Sequence, residues 1–218
     1  MMLVLSTMTI CMVLNMAMQK YLNTWLGNEP DASGMPRFRL ASGLFTQLFC
    51  LPVLLCFSVI SYGSFSTWVE KAENPWDCLW PSVFSSVFAA FMLSDMLLLR
   101  LSTTMMLHHI ACLLSVFACF WVYPEGFPYY TLGVVIMETG SAAFNITLLG
   151  SSDLIYLVLM PLSNVLSGVV FYLWTSSQSG WSGIIFASVL YIPIVFMRQR
   201  AAYLRMLSAK SAPSLGRA

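Results

Sequence analysis

The chain has 218 residues, of which 59% are apolar and only 9% charged, with a formal net charge of +1. A soluble globular chain carries about 25% charge, so these few charges cannot cover a water-exposed surface of this size, whereas a lipid-covered surface needs few. The near-neutral balance excludes the basic face of a nucleic-acid-binding protein and gives no bias toward an acidic ligand.

A helix that crosses a bilayer needs roughly 20 mostly apolar residues. Seven stretches meet or approach that length. Met2–Met18 comes first; no basic segment precedes it, so it reads as a retained span rather than a signal peptide. An exposed loop, Gly-Asn-Glu-Pro-Asp-Ala-Ser-Gly over 27–34, follows. Leu40–Tyr62 is the second span. Ser82–Leu99, beyond the Pro75-Trp76 break, is the third. Thr104–Tyr123 is the fourth, and its short connection to the third requires an antiparallel hairpin. Tyr129–Gly150, after Pro124-Glu125-Gly126, is the fifth. Leu154–Thr175 is the sixth, and Trp181–Met197, after Ser179-Gly180, is the seventh. The expected fold is an all-α integral membrane protein of about seven spans, in one domain without an internal repeat.

Five of the six cysteines, Cys11, Cys50, Cys56, Cys112 and Cys119, fall in apolar runs where they pack as small hydrophobes. Cys78 stands alone in a loop, so neither a disulfide framework nor a CxxC metal site is expected. The sequon Asn145-Ile146-Thr147 lies inside an apolar run and is expected to stay unglycosylated.

Lys and Arg concentrate in cytoplasmic loops. With seven spans and the N-terminus outside, the cytoplasmic segments hold Lys20, Arg37, Arg39, Arg100, Arg198, Arg200, Arg205, Lys210 and Arg217. The outer loops hold only Lys71. Six or eight spans would put the 19–39 loop and the basic tail on opposite sides. The expected orientation is therefore N-terminus outside or lumenal, C-terminus cytoplasmic.

Ionisable side chains inside spans are costly and mark function or buried pairing. Asp95 lies five residues before Arg100, and His108 and His109 open the fourth span. At ~1.5 Å per residue the carboxylate and the His pair lie at similar depth, so an Asp95–imidazole pair is expected. From His108 a small-residue stripe runs through Ala111, Cys112, Ser115, Ala118 and Cys119, suited to close helix packing. His109 leads a bulkier row of Leu113, Val116 and Phe120. His108 is therefore expected to face inward. On the third span Ser82, Ser86, Ala90 and Ser94 form another small stripe. Thr131, Glu138 and Asn145, spaced by seven, share a face of the fifth span with Ser141, and Asn164 stands near Pro161 on the sixth. These residues predict a polar cluster among spans three to six. The competing reading makes Asn164 packing glue, lets Asp95 and the His pair snorkel to the interface, and leaves Glu138 a protonated structural group. Adjacent His side chains point about 100° apart on a helix and no HExxH is present, so no metal or cofactor is expected.

Phe-Met-Leu-Ser-Asp-Met-Leu-Leu-Leu (91–99) followed by Met-Leu-His-His-Ile-Ala-Cys-Leu-Leu (106–114) resembles the TLC-domain family, which includes ceramide synthases and lipid-homeostasis proteins. A Glu followed seven residues later by Asn is a further family landmark, matched by Glu138 and Asn145. The resemblance covers roughly residues 37–197. It implies six helices in a TLC-type barrel around a lipid-sized cavity, with residues 1–36 an extra span and cytoplasmic loop and 198–218 a basic cytoplasmic tail. It also implies residence in the endoplasmic reticulum and membrane lipids as partners. The chain departs from ceramide synthases in having Glu138, Thr139 and Ser141 where they carry paired Asp. It also has Thr46-Gln47 where the family's first core helix often has His.

The leading functional expectation is lipid binding or lipid homeostasis without catalysis, with Glu138, Ser141, Asn145 and Asn164 contacting lipid. The alternative is an acyltransferase of ceramide-synthase type. There His108 or His109 is the general base, Asp95 orients it, and acyl-CoA is the donor drawn to Arg37, Arg39 and Arg100. A third reading is a seven-helix receptor or transporter, although Asp-Arg-Tyr and Asn-Pro-x-x-Tyr are both missing.

Overall fold

The computed structural model describes residues 2–26, 36–71, 78–99, 101, 103–177 and 181–211. These residues are almost all helical: α1 (Met2–Leu26), α2 (Arg37–Tyr62), α3 (Phe65–Lys71), α4 (Leu79–Leu98), α5 (Thr103–Phe117), α6 (Phe127–Leu148), α7 (Asp153–Ser177) and α8 (Trp181–Ser211). Among the described residues, Arg37–Tyr62, Leu79–Leu98, Pro124–Leu148 and Asp153–Ser176 are long and apolar enough to cross a membrane. Thr103–Phe117 is apolar but shorter. The expected loop at 27–34, the Pro75-Trp76 and Ser179-Gly180 breaks, Arg100 and Arg217 lie outside the described residues.

Helices extend where hydropathy does not reach. α1 continues eight residues past Met18, and α8 runs through residue 197 to Ser211. Span prediction reads apolarity, whereas the α8 extension rests on Ala, Leu, Met, Arg and Gln, which propagate a helix regardless of solvent, and the α1 extension opens on Gln19 and Lys20. The connection after Tyr62 also carries a short helix, α3, that hydropathy does not mark.

α2 packs on α4, α4 on α5, α5 on α8, α8 on α7, α7 on α6, and α6 back on α2. α1 lies along α4 and touches the start of α2. The small stripe of α4 is fully inside: Ser82, Ser86, Ala90 and Ser94 are buried, and Ser86 and Ser94 hydroxyls donate to the carbonyls of Ser82 and Ala90 at 2.7 Å. The outward faces carry large apolar side chains, such as Ile60, Leu107, Phe117, Val165 and Phe196. Lipid covers such a surface without cost, and water does not.

Two turns depart from α geometry. Thr46–Cys50 forms a π turn in which Leu51 N–H donates to Thr46 O. Pro52 explains it: its ring crowds the carbonyl four residues back and it has no N–H to donate. A second π turn, Ala118–Val122, ends α5.

One end of the bundle is plugged by aromatics. Trp68 of α3 is fully buried, edge-on to Phe127 at 6.2 Å and stacked on Tyr62 at 5.8 Å. Trp174 approaches Gly126 so closely that no Cβ fits there. α2 and α4 both have their buried charged residues, Arg39 and Asp95, at the opposite end.

Candidate functional site

Asp95, in the last turn of α4, is 1% exposed. Arg39, in the first turn of α2, forks onto it: Nε donates to Oδ1 and Nη2 to Oδ2. The guanidinium also lies over the Phe91 ring, 4.5 Å from its centroid. His109 Nε2 is 3.2 Å from Asp95 Oδ2, and its Nδ1 donates to Met105 O at 2.8 Å. Two buried charges survive in an apolar bundle only when their hydrogen bonds are met within it. The fork and the imidazole supply most of them, leaving only Arg39 Nη1 without a partner in this pair.

A second network crosses from α2 to α6. Gln47 Nε2 donates to Glu138 Oε2 at 2.6 Å, and Asn145 Nδ2 donates to Gln47 Oε1 at 2.9 Å. Gln47 stands in the π turn. Arg39, Gly43 and Gln47 are spaced by four, so they line one face of α2.

A third network centres on Arg198 of α8. Its Nε donates to Asn164 Oδ1 at 3.0 Å, Nη1 to Ser141 Oγ at 2.7 Å, and Nη2 to Met137 O at 2.7 Å and Ser163 Oγ at 3.3 Å. Asn164 also donates to Gln199 Oε1 at 3.0 Å. Both buried arginines lie over a glycine. A Cβ on Gly43 would stand 2.5 Å from Arg39 Nη1, and one on Gly140 2.7 Å from Arg198 Nη2.

These networks wall a cavity of about 280 Å³ whose lining includes Arg39, Asp95, His109, Ser141, Asn145 and Tyr156. A smaller apolar cavity of about 80 Å³ adjoins it toward the aromatic plug, lined by Phe88, Val134, Val170, Phe171 and Trp174. His108, Glu138, Ile194 and Arg198 line both and form the boundary between them. The two cavities make a mostly apolar interior, with charged and amide groups set among apolar walls such as Met92, Phe144 and Met160 at one end and aromatic side chains at the other. Among the described residues no cluster of three His, Cys, Asp or Glu is placed to hold a metal ion.

The expected carboxylate–imidazole pair is present, but its imidazole belongs to His109, not to His108 as the small-residue stripe implied. α5 is held between α4 and α8. The bulky row of His109 meets α4, whereas Cys112 and Ser115 below His108 border the smaller cavity. Small residues admit a close neighbour, and here they leave a void. His108 Nε2 instead sits 3.7 Å from Cys112 Sγ. Asp95 and His109 are buried and do not snorkel to the interface. Asn164 holds Arg198 rather than lining either cavity. Arg39 and Arg198 are the larger correction. Both were counted among cytoplasmic charges, and both are buried inside the bundle at 6% and 9% exposure. Arg37 is exposed. The missed signal was spacing: Arg39 is in register with Gln47, and Arg198 lies seven residues after Tyr191, on the face that meets α7.

The chain matches no protein-family model, no curated protein and no solved structure.

Proposed function

We propose that this protein is an integral membrane protein of TLC type that holds a membrane lipid in its interior and acts in lipid homeostasis without catalysis. The observation that carries this reading is the paired cavity, apolar over most of its wall with its charged and amide groups gathered at one end. An amphiphile has that distribution, and ligand sites are concave and mostly apolar with few placed polar groups. The cyclic order of α2, α4, α5, α8, α7 and α6 supports a six-helix ring of TLC type, with α1 outside it and seven spans in all. With Arg39 and Arg198 inside the bundle, Lys20, Arg37, Arg100, Arg200, Arg205, Lys210 and Arg217 still oppose Lys71, which favours N-terminus lumenal and C-terminus cytoplasmic. The family resemblance favours the endoplasmic reticulum.

The test is lipid extraction and mass spectrometry of the purified protein. Gly133→Phe serves as the comparison, because Gly133 lines the apolar cavity. Wild type is expected to retain a lipid that the variant loses. Equal retention by both, or none above a detergent blank, refutes the reading.

Acyl transfer remains the second reading, and the geometry narrows its base. Both ring nitrogens of His109 are engaged by protein atoms, so a base that takes a substrate proton would be His108 at the cavity boundary. Membranes incubated with labelled acyl-CoA and long-chain bases test it, and equal product from His108→Ala removes it.

A further inference from the structure

Arg198 is nine-tenths buried, yet every partner it has is neutral: an amide oxygen, two hydroxyls and a carbonyl. The ion pairs among the described residues are Arg39–Asp95 and His109–Asp95, and Arg198 enters neither. Arg39, the other buried arginine, has its carboxylate. Glu138 borders the same two cavities, but among the described residues its hydrogen-bond partner is the Gln47 amide on Oε2. Arg198 and Glu138 therefore face one space while their own neutral partners hold them apart. Glu138 acts on Arg198 across the cavity, but among the described residues no carboxylate stands within ion-pair distance of it. A buried charge so weakly compensated is costly, and the space between the two can seat a closer partner.

We propose that Arg198 anchors the acidic head group of a single-chain amphiphile, with Glu138 as its second contact. This rests on the lipid-binding reading above and names the ligand's chemistry. The head group needs an anionic oxygen for the guanidinium. It also needs a proton to offer Glu138, because two carboxyl groups held in one site cannot both ionise. A phosphate monoester carries both features, and a fatty acid sharing its proton with Glu138 meets the same demand. The chain then runs from the boundary into the aromatic cavity, whose volume of about 80 Å³ leaves no room for a second chain. Gly140 is part of the device, since its missing Cβ lets Arg198 lie across α6.

The experiment measures Kd for a monoalkyl phosphate, a fatty acid and a fatty alcohol of equal chain length, using full-length protein in nanodiscs of zwitterionic lipid. Wild type is expected to bind at least one of the two acids about thirty-fold or more tighter than the alcohol, the scale set by breaking a buried charge pair. Which acid wins identifies the head group. Arg198→Gln removes the charge. Asn164→Asp leaves Arg198 in place and gives it a carboxylate 3.0 Å from Nε. Each variant is expected to lose the preference for acid while keeping its affinity for the alcohol, which also reports that it is folded. Equal affinity of wild type for acids and alcohol overturns the proposal whatever the variants do, as does a preference that survives in either folded variant. Failure of all three ligands to bind wild type strikes the lipid-binding reading itself.

Discussion

Replacing Asp95 by Ala strips the carboxylate from a pair whose side chains are only 7% and 2% exposed. Arg39 would then be buried with Nε and Nη2 unpaired, beside an Nη1 that already has no partner, and His109 Nε2 would lose its acceptor. Breaking a buried pair from one side costs about 3–5 kcal/mol, because the other charge is left uncompensated. An exposed pair is worth only about 0.2–1 kcal/mol, so the size of the loss reports burial. The double variant Arg39→Met with Asp95→Leu removes both charges and keeps apolar volume. Such replacements are often neutral or stabilising, so it is expected to lie closer to wild type than Asp95→Ala does. Reversible unfolding in mixed micelles, followed by far-UV circular dichroism, measures Asp95→Ala and the cycle of wild type, Arg39→Met, Asp95→Leu and the double variant. A cost below about 1 kcal/mol for Asp95→Ala, or a double variant whose cost equals the sum of the singles, refutes the buried ion pair.

Gln47→Leu leaves Glu138 and Asn145 without their shared amide and is expected to destabilise by about 1–3 kcal/mol in the same unfolding assay. Gly140→Ala drives a methyl into Ser163 and Arg198 and should lower the melting temperature, whereas Gly133→Ala, whose Cβ would meet only Val170 Cγ1 at 3.6 Å, should be tolerated; equal shifts would mean that Ser163 and Arg198 do not lie against Gly140. Trp68→Ala opens the aromatic plug and is expected to cost about 3–5 kcal/mol, which a fully accessible Trp68 would not. Asn145, partly buried and donating to Gln47, should give no mobility shift after endoglycosidase treatment of protein expressed in a eukaryotic membrane.

The sequence alone determined the all-helical character of the chain, most of the apolar segments, and the common depth of Asp95 and the His pair. Each follows from composition, from helical rise and from a short hairpin, all of which are local. It placed Asn145 and Ser141 beside Glu138 for the same reason: seven- and three-residue spacings return to one helix face. Tertiary structure alone decided which imidazole takes Asp95, because that depends on how α5 is rotated between α4 and α8. It also decided that Arg39 and Arg198 turn inward. Hydropathy assigns a charge beside a span to water, since it cannot see a fork-shaped carboxylate 56 residues away or a glycine on another helix that makes room. The cavity was implied only by the family resemblance, and no local pattern along the chain marks its walls. It is the space left where small side chains from α5 and α6 face one another, and it exists only once the helices are packed.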